Sequence, residues 1–427
     1  MKRHGNLFSM IVSRDNLILA YEHAKRHKKW RRAVHTFEKH KDERISELHD
    51  SLVLHTFHTS KYKTKKIYEP KERLIYVLPF YPDRIVQHAI MNVLEPIWDN
   101  LLIYDCYSCR KGKGQHKASQ RCIVNCKKYE FCMQFDIHKF YPSINHKILK
   151  KIIRKKIKDK NVLWLLDDII DSIDGECNVP IGNYLSQWFG NIYMNELDMY
   201  VKHVLKIKTY ERYCDDFLIF GNDKELLKRA GDLIERFIKE KLNLTLSKKS
   251  LFHTYQGVDF LGYRHFPSGK ILVRKRTAKR MKKKIRTNKY EFLTCRKPAY
   301  KIRSTVGSIK GWLCHANTYN LQVAIKLKEL SDMVGYPKFL NTKEDYEYVR
   351  NNFPKNEWEK DFKALLDGEK DWFNVGETDD GIIDDTHKVI KDEQTGKTYQ
   401  YELQVNPNCK MHRIGYTREE VEKALNE

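Results

Sequence analysis

The sequence predicts an α+β fold, and three observations carry that prediction. Short apolar and aromatic runs such as "RLIYVLPF" read as strands, while long amphipathic runs such as "KELLKRAGDLIERFIKEKL" read as helices. The order around the middle of the chain is strand, helix, helix, hairpin. Two of the strand-like runs end in carboxylates: "YERYCDDFLIFGND" sets Asp215 and Asp216 side by side at a hairpin tip, and "FCMQFDIHKFYPSINH" places Asp136 at the end of another run.

Taken in order, residues 1–60 form a basic helical segment ("LILAYEHAKRHKKWRRAVHTFEKH") that carries no identifiable chemistry. Residues 61–135 alternate short strands with the helical run "RIVQHAIMNVLEPIWDN". Residues 136–273 hold the Asp136 segment, the basic helix "HKILKKIIRKKIKDK", and a turn into the long helix of "VPIGNYLSQWFGNIYMNELDMYVKHVL". The aspartate hairpin, an amphipathic helix and a second hairpin in "VDFLGYRHF" and "GKILVRKR" complete that part. Residues 274–340 are basic and helical, and 341–427 form an acidic extension with turns ("GETDDGIIDDTH") and strand-like "KTYQYELQV".

The 427 residues suffice for several domains, and a net charge of +24 calls for a polyanionic partner. The excess of Lys and Arg lies before about residue 340, so that part is expected to meet nucleic acid. No apolar run reaches the roughly 18 residues of a membrane span, and the start lacks a secretory core. The expectation is a cytoplasmic protein with no membrane partner, and its ten scattered cysteines fit reduced thiols. Cys106, Cys109, Cys122 and Cys126 have a spacing that zinc could use, but the segment between the pairs, "RKGKGQHKASQR", reads as a basic functional loop.

An Asp-Asp pair on its own is most simply a turn. A third carboxylate in a similar frame changes the reading, because converging carboxylates repel unless a cation compensates them. Hard oxygen donors suit Mg²⁺, and two such ions clamp the attacking and leaving oxygens of a phosphoryl transfer. Asp136, Asp215 and Asp216 are therefore the candidate catalytic and metal-binding residues, with two Mg²⁺ as cofactors.

Four motifs in order resemble the bacterial and retroelement reverse transcriptases across about residues 60–320: "QFDIHKFYPSINH", "PIGNYLSQWFGNIYMNELD", "YCDD" and "FLGY". The resemblance implies a right-hand fold of fingers (61–135), palm (136–273) and thumb (274–340), with Asp136 and Asp215 as principal metal ligands and Asp216 supporting. It implies that Arg73 and Lys71 hold the nucleotide triphosphate, as cationic forks do. Tyr141, five residues after Asp136, falls where the family places a bulky side chain beneath the incoming sugar. Ile181, Gly182 and Gln187 fall at the nucleotide pocket. Arg84, Arg110, Lys111 and Lys113, with Phe260, Leu261, Gly262 and Tyr263 of the primer-grip hairpin, are expected on template or primer.

Where many of the family carry Gln-Gly and Ser-Pro, this chain has Ile181-Gly182 and Ser186-Gln187. Ile181 offers one polar contact fewer than glutamine, which raises an expectation of lower fidelity. The pattern resembles diversity-generating retroelement enzymes and the unknown-group, defence-associated reverse transcriptases, and "GSIKGWLCHANTYNL" resembles the thumb of that branch. The implied activity is RNA-directed synthesis of cDNA from dNTPs on a structured non-coding RNA, in antiphage defence. The alternatives are an error-prone diversity-generating enzyme, an intron maturase, for which no HNH-type cluster is recognisable, and a non-catalytic RNA-binding module.

Overall fold

The computed structural model describes residues 3–68, 72–293, 297 and 299–334, and three strands within 387–416. It divides into two compact units, Met1–Lys270 and Ile271–Glu427.

The first unit opens with helices α1 (Phe8–Val12), α2 (Arg14–Lys25), α3 (Arg32–Glu38) and α4 (Lys41–Val53). Ser13 starts α2 by accepting a hydrogen bond from the Asn16 amide at 3.3 Å. Leu17, Ala20, Tyr21 and Ala24 line its buried stripe at helical spacing. That stripe belongs to the same core as Ile85, Ala89 and Ile90 of α5 (Ile85–Asp99), so the basic N-terminal segment is an integral wall of this unit. Between them, β1 (Lys63–Ile67) and β2 (Arg73–Val77) form an antiparallel ribbon.

Next come α6 (Gln115–Lys128), β3 (Phe131–Ile137), α7 (Phe140–Ser143), α8 (His146–Arg154), α9 (Lys160–Asp171) and α10 (Tyr184–Met199). The aspartate hairpin is β4 (Tyr210–Tyr213) and β5 (Asp216–Gly221); α11 (Lys224–Leu242) and β6 (Leu246–His253) follow. Asp223 caps α11 through the Leu226 amide at 2.9 Å, and Asn243, at φ +50°, ends it in a left-handed turn.

The sheet order is β4-β5-β3-β6, antiparallel throughout. Strand alternation sorts its residues onto two faces. Met133, Phe135, Phe217 and Ile219 join the main core with α10 and α11. Here Gly231 of α11 lies so close to Met133 that a Cβ would sit 2.3 Å from its terminal carbon. Cys132, Leu218 and Phe220 occupy the opposite face, packed with α6 and the hairpin of β7 (Val258–Phe260) and β8 (Tyr263–His265). Leu261 and Gly262 turn that hairpin at φ +52° and +86°, the two positive angles that a tight two-residue turn requires.

The second unit begins with the short strand β9 (Ile271–Val273) and holds α12 (Lys275–Leu293), α13 (Ala299–Leu313), α14 (Tyr319–Ala324) and α15 (Leu327–Met333). Its own core is built from Met281, Ile285, Ile302, Val306, Ile309 and Leu330. In the acidic extension β10 (His387–Lys391), β11 (Thr398–Asn406) and β12 (Cys409–Tyr416) pair antiparallel, so the strand expected at "KTYQYELQV" is present. Among the described residues no helix is long and apolar enough to cross a membrane.

Candidate active site

Asp136 and Asp216 are direct partners across the β3–β5 ladder. Tyr213 and Asp216 close the β4–β5 hairpin, leaving Cys214 and Asp215 as its two-residue turn, with Cys214 at φ +54°. The three carboxylates thus come from neighbouring strands at one end of the sheet, and all three are half-buried.

Several groups fix their orientation. Ser247 lies at a register shift of β6 opposite Asp136, and its hydroxyl donates to both the Asp136 carboxylate and its carbonyl. Gln134, two residues before Asp136 and on the same face, donates from Nε2 to Asp216 Oδ1 at 3.2 Å and to the Asp259 carbonyl at 2.9 Å. Lys248 holds the other end of that amide, Nζ donating to Gln134 Oε1 at 2.7 Å. Burial pushes the Asp216 carboxyl up to about 7, with Asp136 and Asp215 adding repulsion and the Gln134 hydrogen bond opposing it.

Tyr141 lies on α7, packed against the core, with its hydroxyl 3.8 Å from Cys214 Sγ. Burial holds the phenol far above its usual range, so it stays neutral. The ring fits because α10 carries Gly190 opposite it, where a Cβ would meet Phe140 at 3.0 Å and Tyr141 at 3.2 Å. Ser108 Oγ lies 2.7 Å from Cys214 Sγ and 3.2 Å from Cys109 Sγ, and the hydrogen bond with Cys214 lowers the Cys109 thiol to about 6.

Ile181 and Gly182 dock on β2, the Tyr76 amide donating to the Ile181 carbonyl at 2.7 Å. At φ +121°, Gly182 lies where a Cβ would be 2.4 Å from the Tyr76 carbonyl oxygen, so the close approach visible here is to the β1–β2 ribbon. Arg73 on β2 and Gln187 on α10 are exposed. Lys71 lies outside the described residues.

Several expected nucleic-acid contacts are placed otherwise. Arg110 is engaged internally: Nε donates to Asp99 Oδ1 at 2.6 Å, and Nη1 donates to the Ile103 and Cys106 carbonyls at 2.8 and 3.1 Å. Lys113 donates to the Tyr104 carbonyl at 2.9 Å and covers that ring, while Lys111 is exposed and pairs with Glu95 at 3.0 Å. Phe260 and Tyr263 are fully buried, since alternation turns both inward from the strands beside the turn. Only Leu261 and Gly262 of that quartet reach the hairpin tip. The four cysteines also separate. Cys106 accepts from Arg212 Nη2 at 3.3 Å, Cys109 sits near Cys214, and Cys122 and Cys126, 3.9 Å apart, pack into the core beneath the second face.

Residues 63–265, which include all of this sheet except its supporting helices further upstream, match the reverse transcriptase (RNA-dependent DNA polymerase) family. That stretch, just under half of the chain, is similar to a reverse transcriptase domain. It is 24% identical over 249 residues to Protein YkfC of Escherichia coli K12, covering 47% of this chain and 63% of that protein. It is 22% identical over 258 residues to the group II intron-encoded protein LtrA of Lactococcus lactis subsp. cremoris, covering 44% of this chain and 43% of that one. A solved telomerase from Candida albicans, in complex with a fragment of telomeric RNA, aligns with a TM-score of 0.41 at 13% identity over 78% of this chain and 62% of that chain. The chain thus spans 63% and 43% of the lengths of these two curated relatives. The residues that match this family have the right-hand polymerase fold.

Beneath its Tyr-Cys-Asp-Asp turn, the domain buries an ion pair that sequence patterns did not single out. Arg212 and Asp198 are wholly buried and meet through Nε–Oδ1 at 2.7 Å and Nη2–Oδ2 at 2.6 Å. Tyr210 donates to the same carboxylate at 2.6 Å, and Arg212 Nη1 donates to the Cys214 carbonyl at 3.0 Å. The bond to Cys214 fixes the turn that presents Asp215. Its only signal in sequence was an Asp on an otherwise apolar helix, in "NELDMY", and an Arg two residues before the turn.

Three neighbouring carboxylates, one of them resisting ionisation, form an all-oxygen donor set that suits a hard divalent cation. Among the described residues no group of three His, Cys, Asp or Glu side chains could by itself hold a metal ion. The arrangement fits a divalent ion held by one or two carboxylates and completed by substrate phosphates.

Proposed function

We propose that this chain is an RNA-directed DNA polymerase that copies a partner structured non-coding RNA into cDNA, acting in defence against phage. The observation that carries the polymerase reading is the cross-strand pairing of Asp136 with Asp216 beside the Cys214-Asp215 turn, inside the residues that match the family. Asp136, Asp215 and Asp216 would hold two Mg²⁺, which when bound supply positive charge for attack of a primer 3′-hydroxyl on the α-phosphate of a dNTP. Ser247 and Gln134 orient the carboxylates. Arg73 neutralises the triphosphate, and Tyr141 fills the space a 2′-hydroxyl would need. Leu261 and Gly262 present the hairpin tip to the primer.

The defence-associated branch is supported by the departures at Ile181-Gly182 and Ser186-Gln187 and by the segment 307–321, which resemble that branch. The test is primer extension on an RNA template, together with sequencing of the RNA and DNA that copurify from bacteria. An Asp215→Ala/Asp216→Ala protein should keep its RNA and lose both extension and cDNA, and phage infection should then separate the two in survival. Retained extension in the double variant would sink the catalytic assignment. The similarity to LtrA favours a second reading, an intron-encoded reverse transcriptase; copurification of an unspliced intron RNA in place of a free-standing structured RNA would select it.

A further inference from the structure

A pair of thiols that takes no part in metal binding or nucleotide transfer lies beside the carboxylates. Cys106 forms a parallel bridge with Arg212, the Arg212 amide donating to the Asp105 carbonyl at 2.9 Å and the Tyr107 amide to the Arg212 carbonyl at 3.0 Å. From that bridge the two segments advance side by side, which brings Ser108 and Cys109 level with Cys214, the residue before Asp215. The Ser108 hydroxyl reaches both sulfurs, Cys214 Sγ at 2.7 Å and Cys109 Sγ at 3.2 Å, and the two thiols hydrogen-bond each other. Neither residue is in a helix or strand; both sit in turns at positive φ, +56° for Cys109 and +54° for Cys214.

Exposure sets this pair apart from the other cysteines nearby. Cys109 and Cys214 are half-buried and open to a small solute, whereas Cys106, Cys122, Cys126 and Cys132 are buried. Cys122 and Cys126 lie 3.9 Å apart, yet burial shields them from an oxidant. The hydrogen bond with Cys214 lowers the Cys109 thiol to about 6 against the opposing effect of burial, so Cys109 supplies the thiolate that attacks a peroxide. The loop side is firmly anchored, because Arg110, next to Cys109, is tied to Asp99, Ile103 and Cys106. A bond between the sulfurs replaces the Ser108 contacts and draws on the turn, whose next residue is Asp215.

We propose that Cys109 and Cys214 form a modification site, oxidised by a peroxide to a disulfide that displaces Asp215 and halts extension until a thiol reductant reverses it. In the first step the Cys109 sulfur attacks hydrogen peroxide, the O–O bond breaks, and a sulfenic acid and one water result. The Cys214 sulfur then displaces the sulfenic oxygen, which leaves as a second water. Two S–H bonds and one O–O bond are lost, one S–S and two O–H bonds are formed, and the two electrons that leave the sulfurs reduce the peroxide. The effect on extension rests on the polymerase reading; formation of the disulfide does not.

The test treats the full chain with hydrogen peroxide, maps its cysteine peptides by mass spectrometry without reduction, and measures primer extension on an RNA template before oxidation, after it and after dithiothreitol. The expected map contains a peptide pair that joins Cys109 to Cys214 and is lighter by two hydrogens. Extension should fall at least about tenfold, because a misplacement of about 1 Å can cost a hundredfold, and dithiothreitol should restore it. Cys109→Ser, its fold verified by thermal melting, should extend like wild type and keep its rate in peroxide. Cys314→Ser, which removes an exposed thiol, should stay as sensitive as wild type. Absence of the joined pair, a loss that dithiothreitol does not reverse, equal sensitivity of Cys109→Ser, or a disulfide that forms with extension unchanged would overturn the proposal. A reduced chain that never extends refutes the polymerase reading, and the peptide map still decides the disulfide.

Discussion

Arg212 keeps its charge without water because Asp198 answers it from 2.6 Å, and burial of the pair commits both. Asp198→Asn leaves a guanidinium buried without its counter-charge and should cost about 3–5 kcal/mol, read as a lower urea midpoint. The proposed sugar gate works by volume, so Tyr141→Ala should admit ribonucleotides in an incorporation assay, while Tyr141→Phe should not, since the hydroxyl's contact with Cys214 is a weak 3.8 Å. Unchanged sugar discrimination in the alanine variant would refute the gate. Asp216 sets a pH dependence of known sign. Its folded pKa, about 7, lies above the unfolded 3.8, so its protonated form favours folding at low pH and that stability is lost as pH rises from 3.8 to about 7. Asp216→Asn should flatten that part of a stability-versus-pH curve recorded without divalent ions.

The elements add a contribution of opposite sign. His265 fastens the β7–β8 hairpin to α6, its Nε2 2.6 Å from Ser119 Oγ and its Nδ1 3.2 Å from the Val258 carbonyl. Burial lowers it to about 4, so stability from this joint is present above 6.5 and lost as pH falls toward 4. His265→Gln should remove that acid sensitivity in thermal melts. The β4–β5 hairpin, α11 and the strand in the acidic extension were legible because alternation, helical periodicity and turn residues survive in a single sequence. The meeting of Asp136, Asp215 and Asp216 at one end of the sheet was legible because three acids close two apolar runs in the same frame. The inward turn of Phe260 and Tyr263 was not, because a motif marks a hairpin without saying which of its side chains face the core. The dispersal of the four cysteines was likewise hidden, since spacing along a chain does not fix distance through it. Asp198 escaped because its partner lies on a strand 14 residues away.

At the scale of the whole molecule, charge decides partner and conditions. One dense part of the positive charge lies where α12 presents Lys275, Arg276, Lys279, Arg280, Lys282 and Lys283 to solvent. RNA affinity should fall steeply with salt, and neutralising Lys279 and Lys283 to Gln should make a log–log plot shallower by up to about 2 if both touch phosphate. An unchanged slope would show that this face of α12 is not used.

The pairing of Asp136 with Asp216 also works as a caliper. Opposed residues of an antiparallel ladder keep their Cα atoms about 4.5–5.5 Å apart whatever their side chains, so the gap between these acids is held by backbone alone. Substitutions along β3 can be absorbed by repacking. A single inserted or deleted residue cannot, because it would rotate Asp136 to the opposite face and leave an intact sheet with only Asp215 and Asp216 at that end.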